Sequence, residues 1–120
     1  VFNFAQKEVP ILVDSLTKMA ETTKEDIDWF LFHQPNKFML QKLAERIGVP
    51  FEKMPMDIVE KFGNSNSATI PTAITADLKE EMLNKKSLCC LAGFGAGVAW
   101  AGIIMKMGNM DFCDTIISDL

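Results

Sequence analysis

The sequence has no tyrosine and only one histidine, His33, among its 120 residues. Without a phenol, no tyrosine side chain can serve as an acid or a base. Basic residues are outnumbered, because 12 Lys and Arg stand against 16 Asp and Glu, giving a net charge of −4. General binding to nucleic acid or to an anionic membrane surface requires a basic field, whereas the net charge of this chain is negative. The composition therefore disfavours nucleic-acid and membrane-surface partners.

Cysteine is scarce and odd in number: Cys89, Cys90 and Cys113. Two adjacent cysteines in a strand point to opposite faces, which suits neither a disulfide nor a metal site. We interpret them as buried thiols in a reducing compartment, and we expect a cytoplasmic protein without a metal. We interpret the eight methionines as adaptable core filling.

A long uncharged stretch, residues 88–105, is about as long as the shortest membrane spans, roughly 17 residues. Gly93, Gly95 and Gly97 interrupt it within five positions. Two buried strands joined by a glycine turn fit this pattern better than one helix does. The stretch therefore predicts part of a sheet and no membrane span.

The apolar periodicity predicts alternating helices and strands. Helices are expected at about 5–20, at 36–47 and from about 71 onwards, with Ile74, Leu78 and Met82 buried in the last; strands are expected at 27–32, 54–59, 88–92 and 98–107. Such alternation predicts an α/β fold with a mostly parallel sheet covered by helices. The short connection between the last two strands makes that pair antiparallel.

Three polar segments lie where predicted apolar elements end: residues 32–36, 62–71 and 93–97. Each has a purely structural explanation, as a loop histidine, a turn that caps a helix and a glycine turn, respectively. The first also places His33 at the carboxyl end of a buried strand, where ligands of open α/β sheets bind. A neutral imidazole fixed there can donate a hydrogen bond to a developing oxyanion.

Taken together and in this order, the three segments are more specific than each is alone. His-Gln-x-Asn after a strand, Gly-Asn-x-x-Ser-Ala-x-x-Pro before a helix, and Gly-Phe-Gly-x-Gly before a strand with Trp-Ala-Gly resemble the ketoacyl synthase III family of the thiolase-like superfamily. Residues 1–5 and 25–29 are similar to that family as well. The resemblance covers residues 1–107 and implies the C-terminal half of a thiolase-like fold, a mixed sheet covered by helices that lacks its first strand. Residues 108–120 are expected to be a tail.

The resemblance also implies an activity, the decarboxylative Claisen condensation of an acyl-cysteine with malonyl-acyl carrier protein that initiates fatty-acid synthesis. His33 and Asn64 match the catalytic pair that donates hydrogen bonds to the malonyl thioester oxygen. Asn36 matches a residue that positions the pantetheine arm, and Phe94 an aromatic residue beside the nucleophile. The backbone N–H of Ala96 matches one half of an oxyanion hole, at a position where the family usually has Gly.

The partners implied are acyl-CoA, malonyl-acyl carrier protein, the N-terminal half of the same protein and a second copy in a homodimer. Coenzyme A and phosphopantetheine thioesters enter as substrates, and no cofactor is implied. None of the three cysteines matches the nucleophilic cysteine, so we expect this chain alone to be an inactive part of an acyltransferase. Phe38 stands where the family often has an arginine for carrier-protein docking; Lys37, Lys42 and Arg46 are the candidates for that role here.

Three alternative functions remain open. The same residues occur in synthases of specialised lipid or secondary-metabolite pathways. A catalytically silent dimerisation or scaffold domain is a second possibility, although His33, Asn64 and the glycine segment are all intact. An unrelated α/β ligand-binding module would make their co-occurrence a coincidence.

Overall fold

A computed structural model describes residues 2–33, 36–63, 68–95, 99–114 and 116. The helices are α1 (Phe2–Met19), α2 (Lys37–Ile47), α3 (Ile58–Phe62), α4 (Thr69–Asp77) and α5 (Lys79–Asn84). The strands are β1 (Trp29–Phe32), β2 (Lys86–Gly95) and β3 (Ala99–Gly108), and short 3₁₀ turns occupy Lys24–Asp26 and Phe51–Lys53.

The strands of the described residues form one mixed sheet in the order β1–β2–β3. β1 runs parallel to β2, with Phe32 opposite Ala92, and β2 runs antiparallel to β3, with Phe94 opposite Trp100. This confirms the predicted α/β architecture and the antiparallel final pair. The described residues of the uncharged stretch belong to these last two strands, and no described helix is long and apolar enough to cross a membrane.

Apolar side chains cover both faces of the sheet. On one face, Phe30, Phe32 and Cys90 pack with residues of α1 and α2. On the other, Leu31 and Cys89 pack with residues of α4 and α5. Burial on both faces explains why β1 is a nearly continuous apolar run. The adjacent cysteines, both fully buried and free, point to opposite faces as predicted.

Helix α2 has the start and stop that its sequence predicts. The side chain of Asn36 accepts a hydrogen bond from the backbone N–H of Met39 at 2.8 Å, so Asn36 is the N-cap. At the other end, Gly48 adopts a left-handed conformation with φ 84°, and its N–H donates a hydrogen bond to the carbonyl of Ala44. Only glycine adopts this conformation readily, so the helix ends at Ile47.

The prediction of a strand at 54–59 is wrong. Met54 and Met56 are buried in an irregular segment, and α3 begins at Ile58. Pro55 has no N–H to donate to a ladder, which disfavours a strand at this position. Ile58 and Phe62 instead share one side of a short helix, four residues apart.

The helix predicted from Pro71 begins earlier, because Thr69 is the first residue of α4. Pro71 is tolerated as the third residue, since N–H groups of the first turn have no partner within the helix. The helical segment is interrupted at Leu78, where α4 gives way to α5. The predicted burial of Ile74, Leu78 and Met82 is confirmed.

The glycine segment was predicted as a turn, but its described part lies in a strand. Gly93, Phe94 and Gly95 are the last residues of β2. A Cβ atom added at Gly93 or Gly95 would have no other atom within 4 Å. Neither glycine is therefore needed to let a neighbouring group pack closely against the strand.

Residues after β3 continue to pack on the domain. The N–H of Met110 donates to the carbonyl of Met82 at 2.8 Å, and Cys113 is buried with its sulfur 3.8 Å from the carbonyl of Ile74. The part of the predicted tail up to Cys113 is therefore in contact with α4 and α5. The domain boundary at 107 stays a prediction.

Candidate functional site

His33 follows β1 directly and lies at the carboxyl end of the parallel pair β1–β2. Its backbone N–H donates to the carbonyl of Ala92 at 2.9 Å, which extends the pairing of β1 with β2 by one residue. A rigid strand pair thus fixes the backbone of His33, and the carboxyl end of a parallel sheet is where α/β proteins bind ligands.

Two buried side chains hold the imidazole of His33. The ring of Phe94, at the end of β2, meets it edge to face, with centroids 5.5 Å apart and an interplanar angle of 82°. The hydroxyl oxygen of Thr69, at the start of α4, lies 2.8 Å from Nδ1. Thr69 is only 1% exposed and Phe94 6%. Three elements that are distant in sequence therefore converge on the one imidazole.

The sequence pattern predicts site roles for His33 and Phe94 but not for Thr69. Threonine near a helix start is expected as an ordinary cap, so nothing in the sequence marked it as a partner of His33. The two residues are 36 positions apart, and their contact depends on how α4 packs against the sheet.

Two proposed site residues, Asn64 and Ala96, lie outside the described residues. Gly63 ends α3 with a positive φ of 72°, and the chain is described again from Ala68, next to Thr69. The predicted convergence of Asn64 with His33, and the oxyanion N–H of Ala96, stay predictions.

Asn36 is exposed at the N-terminus of α2, three residues after His33. Its side-chain oxygen caps the helix by accepting the N–H of Met39. This bond fixes the side-chain oxygen against the first turn of α2. The structure thus gives Asn36 a structural role in addition to the substrate contact that the sequence suggested.

The three candidate docking cations do not share one surface. Lys37 pairs with Asp57 at 2.9 Å and with Glu60 at 3.6 Å, on the side of α2 that faces α3. The hydrogen bond and the charge of Asp57 raise the pKa of Lys37 above its usual value. Lys42 and Arg46 line a separate groove between α1 and α2.

That groove has a volume of about 590 Å³ and includes Lys7 of α1, a cation that sequence reasoning had not selected. Phe38 lies in the groove and is 58% exposed, with the ammonium group of Lys42 5.6 Å from its ring centre. One carboxylate, Glu45, also lines the groove and lies 3.4 Å from Lys42. We call the surface of Lys7, Phe38, Lys42 and Arg46 the cationic groove.

The cysteines are unsuited to nucleophilic chemistry. Burial raises the pKa of the Cys89 thiol to about 11 and that of Cys90 to about 12. Burial also raises the pKa of Cys113. Since the thiolate is the reactive form, these thiols are inert near neutral pH. Over the described ranges of the chain, no group of three or more His, Cys, Asp or Glu residues is placed to hold a metal ion.

With this geometry established, comparison with known proteins gives the family. The model of the family described as 3-oxoacyl-[acyl-carrier-protein (ACP)] synthase III C terminal matches residues 17–107. The chain belongs to this family. The match extends over β1, α2, both glycine-containing segments and β3 up to Met107, and it confirms the resemblance on which the site assignment depends.

Relatives of this chain agree with it in sequence and in fold. It is 35% identical over 108 residues to a β-ketoacyl-[acyl-carrier-protein] synthase III of Prochlorococcus marinus (strain MIT 9215), covering 90% of this chain and 32% of the relative. The crystal structure of a 3-oxoacyl-(acyl-carrier protein) synthase from Burkholderia xenovorans LB400 superimposes with a TM-score of 0.91 at 38% identity, covering 97% of this chain and 33% of that one.

A second similar structure is the priming β-ketosynthase of the R1128 polyketide biosynthetic pathway. It superimposes with a TM-score of 0.79 at 27% identity, over 89% of this chain and 32% of that one. The chain therefore has the fold found in thiolase-like synthases and spans about a third of the length of the relatives it matches.

Proposed function

We propose that this chain supplies the decarboxylation site of a 3-oxoacyl-[acyl-carrier-protein] synthase that initiates fatty-acid synthesis. One observation carries the proposal: in a chain of this family, His33 stands at the carboxyl end of β1, with its ring held between Phe94 and Thr69. A fixed imidazole at a ligand-binding sheet edge is suited to stabilising charge that develops on a substrate.

The reaction has two stages. In the first, a cysteine thiolate in the rest of the enzyme attacks the carbonyl of acyl-CoA, forms an acyl-cysteine and releases the coenzyme A thiolate. In the second, the bond between the malonyl α-carbon and its carboxylate breaks, and carbon dioxide leaves. The electron pair left behind forms an enolate, whose carbon attacks the acyl-cysteine; a carbon–carbon bond forms and the cysteine thiolate departs.

In this scheme His33 and Asn64 both donate hydrogen bonds to the thioester oxygen as it becomes an enolate oxygen. A donor aimed at the place where charge develops stabilises the transition state more than the ground state. Loss of one such donor typically costs about 10²–10³ in rate. The rigid backbone position of His33 supports this role, because its donor needs no reorganisation as the charge develops.

The neighbouring residues have supporting roles in the same proposal. Asn36 positions the pantetheine arm of the substrate from its place at the start of α2. Phe94 excludes water from one side of the imidazole and lies beside the acyl-cysteine. The backbone N–H of Ala96 forms one half of the oxyanion hole for the acyl-cysteine carbonyl.

The nucleophilic cysteine comes from the N-terminal half of the enzyme, which also covers an apolar groove on this chain. Ile70, Leu91, Ala101 and Ile103 line this groove of about 340 Å³, and Ile103 is 52% exposed. An open apolar surface of this kind is typical of a contact with more protein. The complete enzyme acts as a homodimer in the cytoplasm on acyl-CoA and malonyl-acyl carrier protein, without a metal or other cofactor.

The acidic carrier protein docks on the cationic groove. Lys7, Lys42 and Arg46 bring three positive charges to one surface, with Phe38 exposed among them. Lys37 contributes less, because Asp57 and Glu60 already neutralise it. In this proposal the carrier protein contacts α2, whose N-cap is Asn36, and the phosphopantetheine arm reaches the site along that helix.

Replacing His33 by alanine in a complete synthase that contains this chain tests the proposed function. Malonyl decarboxylation is expected to fall by at least 10²-fold, because an enolate donor is lost. Transfer of the acyl group from acyl-CoA to the cysteine serves as the control and is expected to survive in large part. Condensation at the normal rate by this variant would refute the assignment.

A second candidate function is supported by the similarity to the R1128 priming β-ketosynthase. The same decarboxylation site would then serve a specialised pathway with another starter acyl group. Turnover with a series of acyl-CoA starters distinguishes the two, since a preference for a starter other than the short acyl groups of fatty-acid initiation favours the specialised pathway. A silent scaffold domain, in contrast, predicts no decarboxylation by the unaltered enzyme.

A further inference from the structure

We propose that residues 110–114 and 116, which we call the strap segment, form an additional contact with the N-terminal half of the synthase. Phe112 and Ile116 are the apolar side chains that make this contact. The inference rests on the proposed function, in which the N-terminal half covers the apolar groove beside α4. The family match ends at residue 107, so the strap segment lies beyond the part of the chain that defines the family.

The turn after β3 sets the direction of the strap segment. Gly108 and Asn109 have positive φ angles of 111° and 51°. A Cβ atom at Gly108 would collide with the carbonyl oxygen of Lys85, so only glycine fits this position. The N–H of Asn109 donates a hydrogen bond to the same carbonyl at 3.0 Å. The turn therefore directs the chain from the end of β3 back over α5.

Three contacts then hold the strap segment against α4 and α5. The N–H of Met110 donates a hydrogen bond to the carbonyl of Met82 at 2.8 Å. Cys113 is buried against α4, and Asp114 pairs with Lys79 at 3.2 Å. The strap segment is therefore fixed on this face of the domain, although its residues belong to no helix or strand.

Two large apolar side chains of this fixed segment face solvent. Phe112 and Ile116 are each 83% exposed, although Cys113 between them is buried. A single exposed apolar side chain is common on a protein surface, whereas a continuous apolar surface marks a contact site. The two side chains therefore indicate a contact site if they continue a larger apolar surface.

The strap segment does continue such a surface, the apolar groove beside α4. Ile70 lines that groove and also packs against the core cluster that contains Cys113. Leu91 of the groove and Met110 of the strap segment pack against the same cluster. The groove and the strap segment thus lie on the face of the sheet that carries α4 and α5, and they share supporting side chains. A partner that covers the groove extends over the two exposed side chains.

The N-terminal half of the synthase is the occupant that these observations favour. The chain spans about a third of the length of its relatives, so most of a complete enzyme is available to cover this face. The strap segment carries Asp111 and Asp114, whose negative charge disfavours the acidic carrier protein as its partner. The carrier protein fits the cationic groove, which lies between α1 and α2.

A photo-crosslinker at position 112 identifies the occupant. In a complete synthase that contains this chain, Phe112 is replaced by p-benzoylphenylalanine, and the irradiated enzyme is digested and mapped by mass spectrometry. The crosslink is expected to join position 112 to a peptide of the same polypeptide outside these 120 residues. A crosslink to a second copy, which doubles the mass, or no crosslink outside the 120 residues overturns the proposal.

The matched control for the crosslink is Met19, which is 82% exposed at the end of α1, the helix on the other face of the sheet. The same replacement at Met19 is expected to give no crosslink to the peptide found from position 112. Equal crosslinking of that peptide from both positions would show that the contact is not specific to the strap segment, and would also overturn the proposal.

Thermal unfolding measures the contribution of the contact. The double variant Phe112→Ser, Ile116→Ser of the complete synthase is expected to lower Tm by about 5 °C or more, because two apolar side chains lose a buried environment. Met19→Ser is expected to leave Tm within about 1 °C. An unchanged Tm of the double variant contradicts the contact. The crosslink decides the proposal even if the double variant fails to fold, because it requires only one replacement of similar shape.

The two proposals fail in different ways. If His33→Ala decarboxylates normally while position 112 crosslinks to the N-terminal half, the proposed function fails and the contact stands as a structural feature. If His33→Ala is inactive but position 112 gives no crosslink outside these 120 residues, the function stands and the role of the strap segment is refuted.

Discussion

At the scale of single residues, three contacts fix the position of His33. His33 is held by a strand bond to Ala92, an aromatic contact with Phe94 and a hydrogen bond to Thr69. Two of these contacts come from β2 and the third comes from α4, so two elements besides β1 hold the residue. This redundancy is the physical basis for a donor that stays in place while charge develops on a substrate.

Asn36 combines a structural role with a proposed substrate role, and two variants separate them. Asn36→Ala removes the cap bond to Met39 and is expected to lower the free energy of unfolding by about 1 kcal/mol. Asn36→Asp keeps an N-cap oxygen and is expected to retain stability while raising KM for the malonyl thioester, because it loses the amide N–H groups. Urea unfolding and steady-state kinetics measure the two effects. Unchanged stability of Asn36→Ala would show that the cap bond does not support α2.

At the scale of elements, the close packing of α1 on β3 depends on a glycine. A side-chain carbon at Gly102 would lie 2.8 Å from Leu16 Cδ1 and 3.0 Å from the carbonyl oxygen of Leu91. The leucine side chain can move, but the strand carbonyl cannot without disturbing the ladder. Gly102 therefore allows the helix to approach the sheet on the face that carries the larger core.

Substituting this glycine tests the packing. Gly102→Ala is expected to lower the free energy of unfolding by about 1–3 kcal/mol, as overpacking does. Gly93→Ala is the matched control, because it lies in the paired strand with no atom within 4 Å of the added carbon, and its effect is expected to stay within about 0.5 kcal/mol. Denaturant unfolding of both variants makes the comparison. Equal stability of the two would contradict the described contact.

The elements also show what the sequence could and could not predict. β1 and α2 were predictable, because an apolar run and a pair of caps, Asn36 and Gly48, are local signals. The segment at 54–59 was misread as a strand, because two buried methionines resemble a strand pattern where Pro55 prevents one. The Thr69–His33 bond was not predictable, since it depends on packing between distant segments. The placement of Lys37 against Asp57, rather than with Lys42, depends on packing in the same way.

At the scale of the whole molecule, a charged groove and an apolar groove lie on different surfaces of the domain. The cationic groove lies between α1 and α2, on one side of the sheet. The apolar groove of Ile70, Leu91 and Ile103 lies on the opposite face, beside α4. This division fits an acidic carrier protein on the first surface and the remainder of the synthase on the second.

Charge reversal tests the docking surface. The double variant Lys42→Glu, Arg46→Glu is expected to weaken binding of malonyl-acyl carrier protein at least tenfold at low salt, and less at high salt, because charge attraction is screened. Lys37→Glu is the matched control on the same helix and is expected to have a smaller effect. Turnover of malonyl-pantetheine, which carries no phosphate, should be unchanged in all variants. Affinity for the carrier protein that does not change in the double variant would refute docking at the cationic groove.

The most direct test of the whole account is a double-mutant cycle between His33 and Asn64, measured as malonyl decarboxylation by a complete synthase that contains this chain. If both side chains donate to one enolate oxygen, each alanine variant loses about 10²–10³ in rate, and the double variant loses far less than the product, since the two act as a unit. Residues that act at separate places give independent effects that multiply. A loss in the double variant equal to that product, or a normal rate for Asn64→Ala, would contradict a shared site.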